Sequence, residues 1–180
     1  YGVIVGRFQP FHKGHLLAIK KASRKYKKVG IGIFTPRLQD IKNKKQVFDM
    51  DMFSEKSNPF SSKEVKKMVV TTLNKENIRN VKIFKFYPPN LYSKRKFESN
   101  LPFPSRRIEF FVAVKNKRDK MRNKMIEKLG YDYKEHKTFG ENGFAYSGSL
   151  IRKSIFSGDG KWKELVPESV KEIINNSFSK

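Results

Sequence analysis

The segment GRFQPFHKGHL, Gly6 to Leu16, sets two histidines, His12 and His15, around Lys13 and Gly14, with Arg7 just upstream. Imidazoles at this spacing could ligate a metal, cap a helix or donate hydrogen bonds to an anion. Metal is poorly served: the chain has no cysteine, His136 is the only other histidine, and no Asp or Glu lies inside the motif. Capping alone stays open. The better account starts from the helix that the following apolar positions predict. The amides of a helix N-terminus have no intrahelical acceptor and, with the macrodipole, attract phosphate. Two imidazoles beside those amides can donate to phosphate oxygens, Gly14 lets the backbone approach, and Arg7 and Lys13 add fixed positive charge.

A second stretch of the same kind lies near the end. In YSGSLIRKSI, Ser147 and Ser149 straddle Gly148 at a predicted helix start, and Arg152 follows within the first turns. Hydroxyls, amides and a guanidinium there make a second anion site. A Ser-Gly-Ser cap is common and by itself would be structural; its pairing with the histidine segment in one small chain argues for function. Two standard phosphate motifs are absent. GFAYSG, Gly143 to Gly148, continues with Ser149 and Leu150 where a Walker A loop needs Lys and Ser or Thr, and Gly30-Ile31-Gly32 lacks the third glycine of a dinucleotide fingerprint.

The elements that must hold these segments alternate. Apolar runs predict strands at Gly2 to Val5, Val29 to Phe34, Val81 to Phe86, Ile108 to Val114 and near Tyr131 to Lys134. Helical periodicity appears from His15 to Lys28, Ser62 to Leu73 and Arg118 to Leu129, and the C-terminal part is helical, with Ser147 as a cap and Pro167 early in the last helix. Thr35 to Ser57 reads as a long polar loop, and four prolines between 88 and 104 predict an irregular segment. Alternation of this kind predicts an α/β fold with a doubly wound parallel sheet, whose ligand sits beyond the carboxyl ends of the strands. Both the first βα turn and its histidines fall there. The expectation is one domain over residues 1–180, with residues 143–180 forming its C-terminal phosphate-binding helical part.

Composition narrows the classes. A formal charge of +23 suits an anionic ligand, but much of the excess is Lys along helices, as in KKASRKYKK and KNKRDKMRNK, which reads first as solvated helix face. No apolar run reaches the roughly 18 residues of a membrane span. The absence of cysteine rules out a disulfide framework and a thiol nucleophile, and fits a cytoplasmic setting.

Together, GRFQPFHKGHL and YSGSLIRKSI resemble the HxGH nucleotidyltransferase superfamily, and most of all archaeal-type nicotinamide-nucleotide adenylyltransferases. GDGKWKELVPESVKEIINN, Gly158 to Asn176, is similar to that family's ending, and Asn58-Pro59-Phe60 with Glu64 resembles a shorter family segment. The resemblance implies a Rossmann-like nucleotidyltransferase fold and transfer of an adenylyl group from ATP to nicotinamide mononucleotide, giving NAD and pyrophosphate. It implies that His12 and His15 hold the ATP phosphates, His15 nearest the α-phosphate. Arg7, Lys13, Gly14, Ser147, Gly148, Ser149 and Arg152 would grip the triphosphate; Asn116, Tyr146 and the Phe8-Gln9 loop would border the adenosine. Mg²⁺ would arrive with ATP, and a homo-oligomer would be expected. The sequence departs from the family where the acceptor is read: Val65 replaces an Arg after Glu64, and YPPNLYSKRKFESNLPFPSRR has no counterpart of the family's Trp-containing segment. The acceptor site is therefore assigned to Asn58 and Phe60, with Tyr92, Phe97 or Phe103 stacking on the acceptor ring. A flavin, pantetheine or glycerol phosphate acceptor, or CTP as donor, stays open, as does a nucleic-acid-binding protein on the same fold.

Overall fold

The computed structural model describes residues 1–36, 50–89, 91–114, 117–136 and 146–178. Five parallel strands form one sheet: β1 (Gly2–Gly6), β2 (Val29–Ile33), β3 (Val81–Lys85), β4 (Glu109–Ala113) and β5 (Asp132–His136), in the spatial order β3-β2-β1-β4-β5. The chain winds outward from β1 to β3, then crosses to β4 on the other side. That reversal makes the β1–β4 junction the switch point of the sheet.

Register shows how the junction opens. β1 pairs with β2 along its full length, from Gly2↔Val29 to Gly6↔Ile33, whereas β1 and β4 pair only at Gly2↔Glu109 and Val3↔Phe110. Beyond Val3 the two strands separate toward their carboxyl ends, leaving a crevice between them.

Helices cover both faces because the central strands are apolar on both. Ile4 and Phe111 point into one cluster with helices α1 (Lys13–Lys25), α2 (Ser62–Lys75), α5 (Gly148–Ser157), α6 (Trp162–Leu165) and α7 (Glu168–Phe178). Val3, Phe110 and Val112 point into the other, with α3 (Lys94–Glu98) and α4 (Lys117–Lys128). Alternate residues of one strand thus feed opposite cores, as a period of two requires. Among the described residues no helix is long and apolar enough to cross a membrane.

Two segments read as irregular carry local structure. Ser93 caps α3 by accepting from the Lys96 amide, which lets Phe97 swing into the core. Within the polar loop, Met50–Phe53 form a 3-10 turn. Helix α2 has a reciprocal capping box: Ser61 accepts from the Glu64 amide, and the Glu64 carboxylate accepts from the Ser61 amide at 2.7 Å. The other Glu64 oxygen accepts from Ser177 of α7 at 2.6 Å, so one side chain ties two helices together.

Candidate active site

The crevice is a cleft of about 470 Å³ at the carboxyl ends of the strands. Its centre is built by the first βα turn. His12 is the N-cap of α1, and its Nδ1 accepts from the His15 amide at 3.3 Å; reciprocally, His15 Nδ1 accepts from the His12 amide at 3.3 Å. The rings stack with centroids 3.5 Å apart. An imidazole accepting at Nδ1 carries its proton on Nε2, so the cap sets the same tautomer in both rings. Capping and anion binding are thus compatible: the cap uses one nitrogen of each ring, and the other is a donor. Both histidines line the cleft.

The N-terminus of α5 meets that of α1 there, and two glycines permit it. A Cβ on Gly14 would sit 2.7 Å from Tyr146 Cβ, and one on Gly148 would sit 3.1 Å from the Gln9 carbonyl oxygen. Any larger residue would push the two helix ends apart. Ser147 stands at the N-cap position of α5, yet its side chain makes no cap hydrogen bond.

Arg152 fastens the two segments. Its guanidinium donates to the Gln9 carbonyl at 2.7 Å and to Ser149 Oγ at 3.4 Å, and it is buried apart from the part that lines the cleft. Burial pushes its pKa below the ordinary arginine value, opposed by the nearby Asp51 carboxylate. An arginine stays protonated through such a shift. Arg7 also lines the cleft and donates to the Met52 carbonyl at 3.4 Å.

Other expected residues are placed differently. Phe8 and Gln9 line the cleft, but the Phe8 ring is in the core at a left-handed φ of 54°, and the Gln9 carboxamide is engaged by Phe60. Its Nε2 donates to the Phe60 carbonyl at 2.8 Å and its Oε1 accepts from the Phe60 amide at 3.1 Å. Lys13 is exposed and does not line the cleft. Tyr146 packs on Gly14, its ring nearly parallel to His12 at 6.2 Å. Asn116 lies outside the described residues.

The residues expected at the acceptor site are dispersed. Phe60 is buried in the core against Phe178, and Asn58 braces the 3-10 turn, donating to the Met52 carbonyl at 2.7 Å. Phe97 is sealed among Phe86, Phe110 and Tyr131. Phe103 stacks on Tyr1 at 4.4 Å and packs by Gly30, at the amino end of the sheet, away from the cleft. Tyr92 lies edge-on to Phe34 beside the cleft without lining it.

The cleft has two arms that the motifs did not announce. Toward β2 and β3 it is lined by carbon: Phe34, Met52, Phe86, Pro88 and Leu91. Toward β4 and β5 it is polar, with Asp119, Arg122 and His136. Phe34 and His136 were findable as residues at the carboxyl end of a strand. Arg122 was not, because it sits in the lysine-rich run that reads as solvated surface.

A parallel sheet whose switch point receives two helix N-termini, one capped by paired histidines, is the frame of an α/β nucleotidyltransferase. Residues 3–69 match the Cytidylyltransferase-like family. A nicotinamide-nucleotide adenylyltransferase of Methanococcus aeolicus is 28% identical over 176 residues, covering 96% of this chain and 87% of its own. One from Methanococcus maripaludis is 31% identical over 172 residues, covering 95% and 86%. Among solved structures, a bifunctional NMN adenylyltransferase/ADP ribose pyrophosphatase from Francisella tularensis superposes with a TM-score of 0.56 at 19% identity. The match takes in 97% of this chain and 53% of that one, so the chain spans about half the length of that protein. A further structure of the Francisella protein, with a TM-score of 0.50 and 19% identity over 97% of this chain and 52% of that one, is complexed with AMP and a manganese ion. The chain belongs to the nicotinamide-nucleotide adenylyltransferase family.

Proposed function

We propose that the protein transfers the adenylyl group of ATP to the phosphate of nicotinamide mononucleotide, forming NAD and releasing pyrophosphate. The observation that carries this reading is the meeting of the α1 and α5 N-termini over one cleft, held by Gly14 against Tyr146 and Gly148 against Gln9. Family membership supplies the reaction. The triphosphate lies across the two helix ends, with the outer phosphates on Ser147, Ser149, Arg7 and Arg152, and the α-phosphate beside His15.

The chemistry suits what these residues provide. The acceptor phosphate, with a second pKa of about 6, is already anionic near neutral pH, so no protein base is required. Its oxygen forms the new bond to the α-phosphorus as the α–β anhydride bond breaks, and the electron pair leaves with pyrophosphate. Catalysis then consists of alignment and of stabilising charge on the α-phosphoryl oxygens. The Nε2 protons of His12 and His15, aimed by the cap, serve that second need.

Mg²⁺ arriving with ATP would supply charge neutralisation on the phosphates. Among the described residues no group of three or more His, Cys, Asp or Glu could hold a resident ion. The ion would be held chiefly by phosphates and water. The carbon-lined arm takes the acceptor, and the polar arm takes the donor nucleoside, in line with the resemblance that sets Asn116, with Tyr146 and the Phe8-Gln9 loop, beside the adenosine.

The test is steady-state assay of NAD and pyrophosphate formation from ATP and nicotinamide mononucleotide. NAD formed in step with pyrophosphate is the expected result. Brisk pyrophosphate release with another phosphorylated acceptor, and no NAD at millimolar nicotinamide mononucleotide, would overturn the acceptor while retaining nucleotidyl transfer.

A further inference from the structure

The polar arm of the cleft holds an arginine whose direction is fixed by four hydrogen bonds. Arg122 lies on α4 and has four of its five N–H groups committed. Nε and Nη2 donate to Asn123 Oδ1 at 3.1 and 3.0 Å, Nη2 donates to the Ala113 carbonyl at 3.1 Å, and Nη1 donates to Asp119 at 3.2 Å. Asn123 is itself buried, so the fork is clamped from within the core. One Nη1 N–H is uncommitted among the described residues, on a guanidinium that lines the cleft.

Two of the three cleft arginines, Arg122 and Arg152, differ in charge balance. Arg122 is paired with Asp119, so the pair is close to neutral. Arg152 has no carboxylate within ion-pair distance among the described residues. A triphosphate is drawn to Arg152, and the neutralised pair is left to read an uncharged group. A fixed donor suits a nucleobase, whose acceptor atoms stand at set positions that differ between purines and pyrimidines. A site built to hydrogen-bond a substrate group discriminates strongly against analogues lacking it.

Resting on the reading of the polar arm as the donor side, we propose that Arg122 donates through Nη1 to an acceptor on the donor nucleobase and sets the preference between ATP and CTP, with Asp119 as its positioning residue. Lysine at 122 keeps charge and loses the planar fork. Asparagine at 119 keeps an acceptor and loses the neutralising charge.

Calorimetry on the full chain with ATP, CTP and inorganic tripolyphosphate tests this in wild type, Arg122→Lys and Asp119→Asn. Tripolyphosphate affinity should stay within about twofold. ATP affinity should fall about tenfold in Arg122→Lys, the scale of one lost hydrogen bond from a charged group, and less in Asp119→Asn. The ATP-to-CTP affinity ratio should move toward one in both. Thermal melts identify a variant that does not fold; if Arg122→Lys fails, the ratio in Asp119→Asn decides. Equal losses for ATP and tripolyphosphate, or an unchanged ratio, would overturn the proposal. These binding outcomes are independent of whether NAD is formed, so failure of the proposed reaction is seen separately.

Discussion

Helix ends in this protein are finished in two ways. Away from the cleft, Ser61 and Ser93 use their hydroxyls to cap α2 and α3, and Glu64 completes the box at Ser61. At the cleft, Ser147 occupies the same position on α5 and makes no cap bond, while α1 is capped by two imidazoles that each keep a second nitrogen as donor. The first kind of end is closed to ligands because its groups are satisfied by the protein. The second kind turns its imidazoles and the start of α5 toward the cleft, and only a rigid surround can hold it so. Gly14, Gly148 and the Arg152 link to Gln9 supply that surround.

The largest effect should come at the imidazole cap. His15→Ala removes the acceptor for the His12 amide and, on the proposed function, a donor to the α-phosphate. It should lower kcat by about 10² or more, the scale of losing one well-placed donor, with a smaller change in ATP affinity by calorimetry. Unchanged turnover would remove His15 from the chemistry and reduce the cap to structure.

Arg152→Lys comes next. A lysine cannot reach the Gln9 carbonyl and a phosphate with one planar group, so ATP affinity should fall about tenfold. Identical ATP affinity would mean that Arg152 serves the fold alone.

The sharpest version of the comparison is a pair of identical substitutions. Ser61→Ala should cost about 1 kcal/mol of stability in denaturant unfolding and leave ATP affinity alone. Ser147→Ala should leave stability unchanged and weaken ATP by up to about tenfold, the range of one hydrogen bond. A stability loss at Ser147 equal to that at Ser61 would erase the distinction between closed and open ends.

The smallest effect lies at the amino end of the sheet, where polar groups are also mutually satisfied. Glu109 accepts from Lys25 at 2.7 Å and from the Tyr26 hydroxyl. Burial raises the Glu109 pKa, but the hydrogen bonds from Lys25 and Tyr26 outweigh it and hold it below the usual glutamate value. A depressed carboxylate pKa stabilises the fold above the unfolded-state pKa, about 4.3, and that stability is lost as pH falls through the folded-state pKa. Glu109→Gln should therefore cost no more than about 1 kcal/mol near neutral pH, since the pair is partly exposed, and the difference from wild type should shrink below about pH 4. A difference that grows on acidification would refute this.

Strand and helix order, the doubly wound class and the two segments that come to line the cleft were legible in the sequence because they are local. Period-two and helical patterns need only neighbouring residues, and a βα turn puts its own residues at the carboxyl end of a strand. The family was legible for the same reason, since its motifs are contiguous. What tertiary structure alone decided involves partners far apart in the chain. Gln9 is engaged by Phe60 across 51 positions, and Arg152 reaches Gln9 across 143. Phe97 and Phe103 sit in one proline-rich stretch of matching composition, yet one is sealed in the core and the other stacks on Tyr1 at the opposite end of the sheet. Asp119 and Arg122, three apart in a basic helix, look like an ordinary surface pair by spacing. Only the opening of β4 from β1, a matter of strand register, turns that pair toward the cleft.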